Sequence, residues 1–239
     1  MQRVVMAALL AGALAGFAAF ALHMWQTTPL ILHAEVYETG EAGHDHATAQ
    51  AQPTKPDDHA ASQSHSHGDE DDAWPAGGFE RSAYSLLADV ITAIGFAFLL
   101  LGAIAMRGRD VGWQQGIIWG LCGYAAFYVA PALGMAPELP GMVGAELAER
   151  QFWWLGTAAV TALALAMLFF ATGTLVKAVA ALLILVPHVI GAPHPIIEPG
   201  NVPAELAAQF AAASLIVSGL FWMVLGGLSG YFYDRFKPS

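Results

Sequence analysis

AYSLLADVITAIGFAFLLLGAIAM, residues 83–106, carries one charged side chain, Asp89, in 24 positions. A helix of that length rises about 36 Å, and about 20 mainly apolar residues are enough to cross the hydrocarbon core of a bilayer. The stretch is therefore a predicted transmembrane helix. Working outward from it, five more segments qualify: Val4–Trp25, Trp113–Leu133, Phe152–Phe170, Val176–Ile190 and Leu206–Tyr231. Val176–Ile190 is short and holds Pro187 in its last turn, so five full spans plus a re-entrant segment stands as the alternative count. Composition agrees. Of 239 residues, 56% are hydrophobic and 12% charged, and mean hydropathy is +0.53, whereas soluble domains have about 25% charged residues. The predicted fold class is all-α integral membrane with about six transmembrane helices. Residues 1–26 form the first helix, 27–82 an external loop, and 83–239 a five-helix membrane region.

The first segment also resembles a secretory signal peptide, with Arg3 before the apolar run and Ala19-Phe20-Ala21 as an A-x-A cleavage site. The run outlasts the usual signal core, and Trp25 suits a membrane boundary, which favours a retained span. Six spans place Arg3, Arg107, Arg109, Lys177, Arg235 and Lys237 on one side, and Lys55, Arg81 and Arg150 on the other beside most of the acids. Positive residues mark the cytoplasmic side, so both termini are expected there, with the long first loop outside.

A net charge of −10 argues against nucleic acid as a partner, because phosphate binding needs a basic surface. The single cysteine, Cys122, excludes an internal disulfide and a thiolate metal cluster, and no GxxxxGK[ST] motif is present for a P-loop ATPase. The first loop is a separate compositional zone. Between Glu41 and Asp72 it holds eight acids, one base and five histidines, with almost no large apolar residue. Such a segment cannot bury enough surface to offset chain entropy, so it is predicted to be disordered.

The second half carries an internal repeat. Pro131-Ala132-Leu133-Gly134-Met135-Ala136-Pro137 resembles Pro187-His188-Val189-Ile190-Gly191-Ala192-Pro193, and Ala145-Glu146-Leu147-Ala148 resembles Ala204-Glu205-Leu206-Ala207. Each copy reads as an outward span ending at proline, an outer loop and an inward span: a duplicated helical hairpin. Transport sites often lie where such repeats meet.

All nine histidines fall in outer loops or at the outer ends of spans. His44, His46, His65 and His67, with neighbouring carboxylates, supply donors suited to borderline divalent metals, though a flexible tract fixes no geometry. Its plainer reading is a solvated acidic linker. In Pro29–Glu38, a helix would put Glu35 and Glu38 on one face, whereas an extended chain would align His33 with Glu35. The residues leave both open, alongside a plain interfacial helix. Within the spans, Asp89 and His188 stand out, with His23 near an end. Intramembrane ionisable groups are unfavourable in lipid and commonly face a pathway or an interhelical partner. The last outer loop adds His194 and Glu198 to a proline-stiffened turn. The candidate metal ligands are thus His33, Glu35, Glu38, His44, His46, His65, His67, Asp89, His188, His194 and Glu198, with no catalytic residue and no permanently bound cofactor.

The ordered set Ala34-Glu35-Val36-Tyr37-Glu38, Arg150-Gln151-Phe152-Trp153-Trp154, Pro187 to Pro193, and Pro203-Ala204-Glu205-Leu206 through Phe221-Trp222 resembles the cobalt transporter subunit family CbtA. The resemblance implies cobalt uptake across a bacterial inner membrane, linked to cobalamin synthesis. It also implies a small single-span partner, CbtB. The residues themselves point to a divalent metal permease or permease subunit, not an enzyme, with its ion gathered by the His/Asp loop. Two other readings stand beside it: a haem-binding membrane electron carrier with His23 and His188 as axial ligands, and a non-transporting metal-binding accessory protein.

Overall fold

The computed structural model describes residues 2–40, 78–195 and 200–237. The chain is an all-α membrane protein, with no strand among the described residues. Helix α1 (Gln2–Leu22) runs through a π-helical turn (His23–Thr27) into α2 (Thr28–Gly40). Helix α3 is Gly78–Arg107, and α4 (Trp113–Tyr124) passes through a second π turn (Ala125–Val129) into α5 (Ala130–Gly134). Then come α6 (Leu147–Phe170), α7 (Thr174–Ile190) and α8 (Ala204–Arg235). Among the described residues, five helical runs are long and apolar enough to cross a membrane: Gln2–Tyr37, Gly78–Arg107, Trp113–Gly134, Leu147–Phe170 and Ala204–Arg235. The sixth expected span lies in the shorter α7, whose 17 residues end where Gly191 adopts φ +90°. Large apolar side chains such as Leu99, Leu155, Leu182 and Ile216 are exposed along the helices, as surfaces facing lipid tails require.

Small residues decide which helices meet. In lipid, apolar burial does not drive helices together, so close backbone approach matters more. The buried stripe Ala8, Ala11, Gly12, Ala15, Gly16 and Ala19 lays α1 along α3. A methyl at Gly12 would fall 2.5 Å from the Ile94 Cα, and one at Gly16 would fall 2.5 Å from the Val90 Cα. Gly116 and Gly120 similarly seat α4 on α8, where methyls would meet the carbonyls of Gly226 and Trp222. Helix α8 also packs on α1, while α7 packs on α6.

Those registers run the helices antiparallel and gather Arg3, Asp110 and Lys237 at one end. Arg3 donates from Nε to the Tyr233 carbonyl and lies 3.6 Å above the Tyr233 ring. Asp110 is 3.6 Å from Arg3 Nη2 and 3.3 Å from Lys237 Nζ. Lys237 also bonds Asp234, and these carboxylates hold its ammonium above the usual lysine range. Between this end and the middle of the bundle lies a dry layer of Leu101, Ile104 and Leu225.

Candidate functional site

Toward the opposite end, α1, α3, α8 and both π turns surround a cavity of about 670 Å³. Helical spacing builds its walls. Ser85, Ala88, Asp89, Thr92 and Phe96 follow one face of α3, and Phe210, Ser214, Ser218 and Trp222 follow one face of α8. The first π turn contributes His23, Met24 and Thr27, and the second contributes Phe127 and Tyr128. A π turn inserts one residue into the α ladder and re-aims the side chains around it, and such turns concentrate at functional sites. Here both π turns line the same cavity.

His23 Nδ1 lies 3.0 Å from Asp89 Oδ2, with the imidazole partly exposed and the carboxylate more deeply set. With the proton on Nδ1, the ring donates to the carboxylate and leaves Nε2 as its free lone pair. Histidines that ligate metals usually donate their other nitrogen to a carboxylate in this way, which fixes the tautomer and raises ligand basicity. Thr27, Thr28, Thr92, Ser214 and Ser218 line the cavity too, with Thr27 Oγ1 donating to the His23 carbonyl and Thr28 Oγ1 to Met24 Sδ. Its deep end is apolar, where Phe96, Phe127, Phe221 and Trp222 close it.

Glu138 also reaches this cavity, although its carboxylate Oε2 is 2.7 Å from Arg150 Nη2. A second cavity of about 200 Å³ adjoins, lined by Met135, Pro137, Glu138, Met142, Arg150, Pro193 and His194. Among the described residues, no three His, Cys, Asp or Glu side chains lie close enough together to hold a metal ion.

The expected ligands are distributed as follows. Asp89 is in the larger cavity and His194 in the smaller. Residues 28–40 are helical, so the helical alternative holds for Pro29–Glu38. Glu35 is ion-paired to Arg81 of α3, and His33 is exposed with its ring 6.1 Å from Tyr37. His188 lines neither cavity; it stands on α7 with its ring edge-on to Trp153, centroids 6.2 Å apart, and its Nε2 is buried with no hydrogen-bond partner among the described residues. His44, His46, His65, His67, Glu198 and the side chain of Glu38 lie outside the described residues.

Three contributors were not among the expected ligands: His23, its neighbouring hydroxyls, and Glu138. The polar residues at four-residue spacing inside apolar spans, Ser85/Asp89 and Ser214/Ser218, are a signal for the cavity wall. For Glu138 the signal lies in the repeat. Glu138 follows Pro137 as His194 follows Pro193, and both line the smaller cavity.

Comparison with protein-family models matches residues 1–234, essentially the whole chain, to the family described as "Probable cobalt transporter subunit (CbtA)". No curated protein and no solved structure matches the chain.

Proposed function

The chain belongs to the CbtA family, and from that premise we propose that it carries cobalt inward across a bacterial inner membrane to supply cobalamin synthesis. The observation that carries the proposed route is the His23–Asp89 pair set in a cavity that serine and threonine residues also line. His23 Nε2 supplies the nitrogen ligand, Asp89 orients the ring and offsets charge, and the hydroxyls replace part of the hydration shell. Two side-chain groups with water suit an ion in transit, because a permeation site must release what it binds. Geometry and ligand type, rather than raw affinity, must then favour cobalt over nickel or copper.

The charged residues support an orientation with both termini cytoplasmic. Arg3, Arg107, Arg235 and Lys237 cluster at one end, and the cavities lie toward the other. In that frame the His/Asp-rich segment is external and collects metal at low concentration. A dication moving inward gains about 2.3 kcal/mol per charge per 100 mV, so membrane potential can drive uptake without nucleotide hydrolysis. A CbtB-like single-span subunit completes the transporter. The chain acts as a permease subunit rather than an enzyme, and the moving ion, not a resident cofactor, occupies the site. The haem alternative required His23 and His188 to act as a pair. His23 lines the larger cavity, whereas His188 does not.

Proteoliposome uptake tests the reading. The chain, with and without a CbtB-like partner, is reconstituted and Co²⁺, Ni²⁺ and Zn²⁺ entry is followed under an imposed inside-negative potential. Potential-driven Co²⁺ entry that His23→Gln removes is the expected result. Entry unaffected by His23→Gln would remove the cavity from the route, and absence of entry with the partner present would leave a non-transporting metal-binding accessory protein.

A further inference from the structure

Resting on the reading of the larger cavity as a cobalt site, we infer that the smaller cavity is a second station for the divalent ion. It is built from Glu138 and His194, and the Arg150 guanidinium occupies it as a tethered substitute cation while metal is absent. Among the described residues, Glu138 is the only ionisable one lining both cavities, so an ion passing between them meets its carboxylate. That carboxylate is already paired, with Oε2 2.7 Å from Arg150 Nη2 and both side chains about one-third exposed or less. A guanidinium and a dication seek the same oxygens, and in a space of about 200 Å³ they repel one another. Metal entry therefore requires Arg150 to leave, and metal exit lets it return.

The backbone at residue 144 lies close against this pair. A Cβ at residue 144 would come 2.6 Å from Arg150 Nη1 and 2.8 Å from Glu138 Oε2, so the glycine there keeps the pair clear. The repeat supplies an independent argument. Glu138 and His194 occupy equivalent positions after Pro137 and Pro193, and both line this cavity. One carboxylate and one imidazole thus converge from the two repeat copies, a donor pair suited to a borderline divalent ion. Met135 and Met142 line the same space, with Met142 Sδ accepting from the Leu139 N–H at 3.3 Å.

Co²⁺ binding to the purified full chain, measured by calorimetry, tests the exchange, with thermal unfolding of each variant as a folding control. Arg150→Gln frees Glu138 and should tighten Co²⁺ binding by roughly 1.5- to 5-fold, the range that a partly exposed ion pair can withhold. Arg150→Lys should leave affinity near wild type, because the substitute cation remains. Glu138→Gln should weaken binding, and Glu138→Gln with Arg150→Gln should match Glu138→Gln alone. An equal gain in that double variant would make Arg150 a general repulsive charge and overturn the proposal. Lower stability with no gain in Arg150→Gln would make the pair a loop staple and overturn it too. Wild-type Co²⁺ binding that His23→Gln does not alter would be the separate failure of the larger-cavity reading. Loss of binding in every variant, wild type included, would overturn both.

Discussion

Phe127 and Trp222 stack with ring centroids 5.8 Å apart and planes within 6° of parallel. Phe96 leans on both, 5.4 Å from Phe127 and 4.9 Å from Trp222. The three rings tie the second π turn to α3 and α8 at the deep end of the His23 cavity. They stand between its polar walls and the dry layer beneath. Trp222 is 3% exposed, and truncating a buried tryptophan to alanine costs about 3–5 kcal/mol. Trp222→Ala should lower the unfolding temperature markedly and raise the passive leak of Co²⁺ from loaded proteoliposomes, whereas Trp222→Phe should retain most of both properties. An Ala variant with wild-type leak would show that the rings do not seal the cavity.

The α4–α8 seam gives opposite expectations for glycines of the same bundle. A methyl at Gly116 meets the Gly226 carbonyl and the Gly230 Cα, while Gly102 on α3 faces open space. Gly116→Ala must push two helices apart and should destabilise by about 1–3 kcal/mol. Gly102→Ala should stabilise by about 0.5–1 kcal/mol, since glycine weakens a helix interior. Thermal unfolding in detergent reads both. Equal effects would mean that the close approach at Gly116 is not needed for folding.

Orientation can be read directly. If the Arg3, Asp110 and Lys237 cluster faces the cytoplasm, reporters fused at Gly108 and Thr172 are cytoplasmic and those at His59 and Gly141 external. An external signal at Gly108 would reverse the direction of the proposed route. A Thr172 reporter on the same side as Gly141 would remove α6 from the spans.

Much of the architecture was legible because burial in a bilayer constrains sequence in one dimension. Length and apolarity placed the long helices, and a single charge in residues 83–106 singled out Asp89. Lateral neighbours are a different matter. The sequence marks Asp89, His188 and His23 without saying which of them meet, and the packing of α1 on α3 puts His23 beside Asp89. That packing is set by Gly12 and Gly16, whose small size matters only once the opposing backbone is known. The π turns leave no mark in periodicity, because one inserted residue is invisible against an apolar background. Apart from the repeat, nothing in the sequence singles out Glu138, which follows Pro137 in a loop outside the predicted spans. Its importance comes from the fold, which points that loop into the space between the two cavities.

The His23–Asp89 pair carries the sharpest prediction. If Asp89 fixes the Nδ1–H tautomer and so presents Nε2 to the ion, its loss should act through His23 rather than beside it. Asp89→Asn nearly preserves shape but removes the charge and the strong acceptor, and loss of such a supporting carboxylate typically weakens metal affinity 10- to 100-fold. His23→Gln should weaken binding at least as much, by removing the nitrogen itself. Combining the two should add little, because either change disables the same ligand. His188→Gln should leave Co²⁺ binding near wild type, since His188 lies outside the cavity. The measurement is Co²⁺ affinity and uptake per folded molecule for wild type, the three single variants and the double. Additive losses for His23 and Asp89 would make them independent ligands. A loss in His188→Gln equal to that of Asp89→Asn would return His188 to the ion's path and require α7 to approach α3 during transport.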